Sequence, residues 1–187
     1  MSEPYFDLYK LRRDMSASYM HSEFLERVQL MKLNTLKELC GRLPEEGEAF
    51  FIETRKSFSA FTFIVYLIRH AGRIDHLYIA TYSTNERIIN ALVRWIERGE
   101  LGSVHLHISE TLKFRMPTVY QRLMELNASG IISLTTAWTH KKITCMDTPA
   151  VQFVVEGSGN YGENALEEQY VFLRNKRVYD FHTSRIR

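Results

Sequence analysis

Cysteine is scarce in this chain: 187 residues hold only Cys40 and Cys145. The two lie far apart in sequence and form no metal-ligand spacing, so they read as reduced thiols of a cytosolic protein. An excess of charge of one sign is missing as well. The formal net charge is +2, whereas a dedicated nucleic-acid binder often carries a much stronger basic excess, so any phosphate-binding surface has to be local. Long apolar runs are also absent. The longest, Phe58 to Ile68, contains Ser59 and Thr62 and falls short of the about 20 residues that span a bilayer; a buried helix accounts for it better. Met1 to Asp14 is polar and charged, unlike a secretory leader. No internal repeat or low-complexity tract is visible. The expectation is a cytoplasmic protein with no membrane segment.

The length fits one domain with a small appendage and can bury a substantial core. Residues 1–44 read as a separate N-terminal helical segment. Ser22 is its candidate N-cap, and Phe24, Leu25, Val28, Met31, Leu36 and Leu39 follow at helical spacing. Gly41 stands where a left-handed terminal residue belongs, and Pro44 discourages continuation. The apolar stripe of such a helix has to pack on the core or on a second copy of the chain.

Residues 45–187 alternate between strand and helix patterns. Ala49 to Glu53 reads as a strand, Phe58 to His70 as a buried helix and Leu77 to Thr81 as a strand. Ser83 with Glu86 resembles a capping box opening a helix that carries Ile88, Ile89, Leu92, Val93 and Ile96 and ends near Gly99. Val104, Leu106 and Ile108 alternate with His105 and His107. Pro117 fits the first turn of a helix through Leu126. Strands follow at Ile131 to Thr136, Lys142 to Met146, Gln152 to Glu156 and Glu168 to Leu173, with a terminal helix from Val178. The order gives an α/β fold, a mixed sheet flanked by helices.

The chemistry concentrates late in the chain. His140, Lys142 and Asp147 form H-x-K-x4-D; after a gap of nine residues comes G-S-x-N, which is Gly157, Ser158, Gly159 and Asn160, with Glu168 beyond. An imidazole serves as nucleophile or as general acid and base near neutral pH. A lysine two residues on can share a strand face with it and hold a phosphoryl oxygen as a point charge. An asparagine amide adds a neutral donor for charge that develops in the transition state. A hairpin would bring these strand ends to one edge of the sheet.

This pattern resembles the HKD signature of the phospholipase D superfamily. Asn164 and the run Glu168 to Val171 extend the likeness, which is firm over residues 135–182 and looser from about residue 48. The chain departs from the simplest pattern in having Lys141 between His140 and Lys142, and in a longer loop from Asp147 to Gly157. Neither removes a reacting group. The resemblance implies a phospholipase D-like fold and a metal-independent phosphodiesterase without cofactor. It assigns His140 as nucleophile or acid, Lys142, Ser158 and Asn160 as phosphate contacts, and Glu168 as the partner of the far nitrogen of His140. Asp147 and Gly157 belong to the structural part of the motif. The reaction uses two histidines, and no other histidine here has a lysine two positions later. The resemblance therefore implies a homodimer in which each protomer supplies His140, Lys142 and Asn160.

Other residues leave two readings open. Lys141 is a solvated lysine or a secondary substrate contact. His105 and His107 share a strand face and suit a metal, but lack a third ligand. Arg174, Lys176 and Arg177 make a solvated turn or a nucleic-acid backbone contact. Tyr161 stacks on a base in the cleft or closes its loop. The substrate read this way is a nucleic acid. The alternatives are a non-catalytic nucleic-acid-binding protein of the same fold and a phospholipid headgroup hydrolase, for which no amphipathic basic helix is visible.

Overall fold

The computed structural model describes residues 27–33, 42–54, 59–162 and 167–186. Its elements run β1 (Arg27–Leu33), β2 (Glu48–Thr54), α1 (Phe61–Ala71), β3 (Ile74–Thr81), α2 (Glu86–Glu97), β4 (Leu101–Ser109), α3 (Leu112–Arg115), α4 (Pro117–Ala128), β5 (Ser133–Ala137), β6 (Ile143–Asp147), β7 (Gln152–Gly157), β8 (Gln169–Leu173) and α5 (Lys176–Ile186). The strands form one mixed sheet in the order β1-β2-β8-β7-β6-β3-β4-β5. The α/β architecture expected from the alternating pattern is the one found.

Direction within the sheet decides where chemistry can gather. β1 runs parallel to β2, and β3, β4 and β5 are mutually parallel. β6 pairs antiparallel with both β3 and β7, and β8 antiparallel with both β7 and β2. The carboxyl ends of β2, β3, β4, β5 and β7 therefore meet the starts of β6 and β8 at one edge. Open α/β sheets bind ligands beyond the carboxyl ends of their strands.

Helices cover the two faces unequally. On one face Phe63, Ile64 and Leu67 of α1, Ile88, Ile89 and Leu92 of α2, and Val119, Leu123 and Leu126 of α4 join Phe50, Leu77, Val104, Phe153 and Phe172 in the main core. Each fully buried side chain of this size contributes about 1.5–3 kcal/mol. Trp95 stacks on Phe61 at 5.0 Å and ties α2 to α1. The other face carries a smaller cluster in which Tyr179 of α5 packs with Ala80, Ile143, Cys145, Val154 and Leu173. Cys145 is buried there, and desolvation pushes its thiol pKa up.

Two expectations need correction. Arg27–Leu33, placed by its spacing in a helix, is a strand paired in register with Glu48–Thr54. Seven residues with Val28, Leu30 and Leu33 suit either period, and pairing with β2 satisfies a backbone edge that a helix would leave open. Ser22, Phe24, Leu25, Leu36, Leu39 and Gly41 of that expectation, with Cys40, lie outside the described residues. The cap of α2 is Asn85 rather than Ser83. Its backbone is extended and its side chain accepts from the Ile88 amide at 3.0 Å. Asn85→Ala should lower stability by about 1 kcal/mol, measured by denaturant melting, whereas Ser83→Ala should leave the helix unaffected. Gly99, at φ 75°, ends α2 in a conformation that favours glycine.

Candidate functional site

The site grows from three neighbouring strand ends. Lys142 immediately precedes β6, and its carbonyl accepts the Gly157 amide from the end of β7 at 3.2 Å. The next residue, Ser158, donates its amide to the Gln169 carbonyl at 3.0 Å, and its hydroxyl accepts the Gln169 amide at 3.0 Å. Ser158 Oγ also donates to Glu168 Oε2 in a short hydrogen bond. Glu168 is held from below by Thr54 at the end of β2, whose hydroxyl accepts its amide at 3.1 Å. Lys142, Ser158, Asn160 and Glu168 thus arrive together with His140, although 28 residues separate the first and last of the group.

Glycine is needed for this approach. A Cβ at Gly157 would meet the Gln169 carbonyl at 2.5 Å and the ring of Tyr170, and one at Gly159 would collide with the Tyr170 hydroxyl. Tyr170 is 2 % exposed and cannot swing aside. Beyond Asn160 the loop is fixed by Tyr161, which donates its amide to Ser83 O at 3.1 Å and makes a short hydroxyl bond with Thr144. Tyr161 is fully buried, so it closes the loop and presents no face to a base. Among the described residues, Asn160 Oδ1 is buried and meets no hydrogen-bond partner. An unsatisfied buried amide oxygen costs about 1–3 kcal/mol, and such atoms concentrate where a ligand or partner group completes them.

His140 is exposed. Its ring lies 4.8 Å from that of Tyr82, and Lys142 Nζ donates to its Nδ1 at 3.0 Å and to its carbonyl at 3.1 Å. Nζ also lies 3.5 Å from Nε2, so the ammonium faces both ring nitrogens. Glu168 is the expected partner of the far nitrogen of His140; its Oε2 accepts the Ser158 hydroxyl. Desolvation lowers the Lys142 pKa, against which the charges of Glu168 and Tyr82 act. Asp147 stands at the other end of β6 and accepts from Gln152 Nε2 at 2.7 Å across the hairpin. It secures the strands and is remote from the imidazole.

Tyr82, Thr111 and Arg115 were not singled out in the sequence. Tyr82 directly follows β3, and Thr111 and Arg115 follow β4. Hydrogen bonds from Thr111 and then Arg115 hold the phenol below its ordinary pKa, helped by the charges of Arg115 and Lys142. The Arg115 guanidinium lies 5.0 Å from the Tyr82 ring centroid. Their signal was position alone: each sits just past the carboxyl end of a parallel strand.

Other candidates fall elsewhere. His105 and His107 both hydrogen-bond Thr135 Oγ1, at 3.2 and 2.9 Å, and among the described residues no group of three His, Cys, Asp or Glu could hold a metal ion. Arg174, Lys176 and Arg177 follow β8 at the opposite edge of the sheet. There Arg174 pairs with Glu46 at 3.2 Å and Lys176 with Asp180 at 2.6 Å. Asn164 lies outside the described residues. Among the described residues, no helix is long and apolar enough to cross a membrane.

Comparison with protein-family models and with curated proteins gives no match. Among solved structures, a polyphosphate kinase from Porphyromonas gingivalis aligns with a TM-score of 0.53 at 17% identity, over 73% of this chain and 25% of that one. The chain thus spans about a quarter of that enzyme's length. TrmBL2, an archaeal chromatin protein with a novel mode of DNA binding, aligns with a TM-score of 0.46 at 12% identity, over 74% of this chain and 50% of that one. The first likeness is one of fold: the sheet and helices described above are similar to part of that polyphosphate kinase.

Proposed function

We propose that the chain is a metal-independent phosphodiesterase of nuclease type, working through a phosphohistidine at a site shared by two protomers. The observation that carries this reading is the exposed His140 ring with the Lys142 ammonium 3.0 Å from Nδ1, beside Ser158, Asn160 and Glu168 at one sheet edge. A phosphodiester entering there competes with Nδ1 for the ammonium. Once Lys142 turns to a phosphoryl oxygen, Nδ1 is free to carry the ring proton, and the Nε2 lone pair is free to attack.

In the first step Nε2 bonds to phosphorus and the P–O bond to the leaving alcohol breaks. The partner's His140 gives that alkoxide a proton. In the second step the same partner imidazole removes a proton from water, whose oxygen attacks phosphorus. The P–N bond breaks and neutral His140 returns. Lys142 and the Asn160 amide balance the charge on the non-bridging oxygens in both steps. In this proposal Glu168, released from Ser158, accepts the Nδ1 proton in a hydrogen bond and keeps the ring oriented.

Activity should need protonated Lys142. The charged form exists below its pKa, and desolvation lowers that pKa. The alkaline limb of kcat/KM against pH should therefore begin earlier than for an ordinary lysine. In Lys142→Arg the guanidinium stays charged throughout, so the rate should be lower and the part of the limb due to Lys142 absent. A limb unchanged in Lys142→Arg would assign it to another group, with the partner's His140 as general acid the first candidate. Cleavage of labelled oligonucleotide by the wild-type chain is the assay for this profile.

A further inference from the structure

Two aromatic side chains on the rim of the site stand uncovered. Trp138, just after β5, is 76% exposed, and Phe114, in α3, is 72% exposed. Rings this large usually find cover in a folded chain. The fold holds the two to the same edge, since the Glu110 amide donates to the Ala137 carbonyl at 2.9 Å and so joins the approach to α3 with the residue before Trp138. Trp138 lies two residues from His140.

Cations are interleaved with these rings. Lys113 Nζ lies 4.8 Å from the Phe114 centroid and Arg115 lies over Tyr82, whose ring in turn contacts His140. Lys141, the residue after His140, is exposed. Among the described residues, the carboxylates here include Glu110, 3.8 Å from Lys113, and Glu168, which accepts from Ser158. Ring faces alternating with positive charge match a polymer that alternates bases with phosphates. In a duplex the base faces are hidden by stacking; in a single strand they are available to side chains.

We infer that this rim binds single-stranded nucleic acid, with bases stacked on Trp138 and Phe114 and phosphates held by Lys113, Arg115 and Lys141. The inference rests on the phosphodiesterase reading and names its substrate class. The strand then runs past Tyr82 to His140, which presents the scissile phosphate to the imidazole.

The test uses the full chain carrying His140→Ala, so that binding is read without turnover. Trp138→Ala and Phe114→Ala should each weaken a short labelled single strand by about tenfold, with an unchanged thermal melt and sedimentation mass. An abasic strand of the same length should bind weakly and be indifferent to both substitutions. Equal affinity for the abasic strand, or indifference of the normal strand to Trp138→Ala, would overturn the inference. So would conversion of a dimer to monomer by Trp138→Ala, which would make the ring a subunit contact. A Trp138 emission shift with anionic phospholipid vesicles but not with the oligonucleotide would assign the rim to a membrane and overturn it too. Ring-dependent binding by a wild-type chain that does not cleave would leave this inference standing and remove the phosphodiesterase reading.

Discussion

Replacing His140 by alanine is expected to lower phosphodiester cleavage by roughly three orders of magnitude or more, with folding unaffected. The side chain is exposed and its contacts are the Tyr82 ring and its neighbour Lys142, so its loss removes little packing. Its chemistry has no substitute, because no other histidine is followed by a lysine two residues on. The sharper version mixes differently tagged protomers. A heterodimer of wild-type and His140→Ala chains retains one imidazole, and the proposed attack and proton transfer require two. Heterodimers isolated by both tags should be nearly inactive. A heterodimer with half the wild-type rate would show that each protomer works alone.

Gly157→Ala is expected to lose about 2–3 kcal/mol of stability, a fall in melting temperature of roughly 4–12 °C. The sign is the informative part. Glycine in a strand interior is ordinarily worse than alanine by about 0.5–1 kcal/mol, so local propensity alone favours the substitution. At this position the new methyl would meet the Gln169 carbonyl at 2.5 Å and the buried ring of Tyr170. Neither can yield without moving β8, and with it Glu168 and Ser158. Overpacking outweighs propensity, and cleavage should fall with stability. A calorimetric scan of the variant decides the matter; an unchanged or raised melting temperature would mean that the two strand ends are not held this close.

Much of the fold was legible because its strands carry their burial in the sequence. Val104, Leu106 and Ile108 are buried while His105 and His107 are only partly so, the alternation that a sheet with one heavily covered face imposes. Pro117 and Gly130 bracket α4 as their backbone preferences require. Local rules failed where two signals competed. Ser83, Thr84 and Asn85 all suit a cap, and what selects Asn85 is the bond from its side chain to the Ile88 amide, invisible in one dimension. The residues of β1 fit a helix by spacing and a strand by pairing, and only β2 settles that choice.

The candidate site was half legible. His140, Lys142, Ser158, Asn160 and Glu168 fall at adjacent strand ends because the hairpin from β6 to β7 is short and β8 lies beside β7 in the sheet. Tyr82 and Arg115 come from the ends of β3 and β4, far away in sequence, and reach His140 through the order of strands in the sheet. Trp138 and Phe114 gave no signal, since exposure of an aromatic ring is a property of the finished surface.

The most direct measurement is a single-turnover reaction of the wild-type chain with a labelled single-stranded oligonucleotide in excess chelator, followed by intact-protein mass spectrometry. The account predicts strand cleavage without added metal and a transient mass increase that maps to the peptide holding His140. Both should vanish in His140→Ala. Cleavage that appears only on adding a divalent cation, or that persists in His140→Ala, would contradict it.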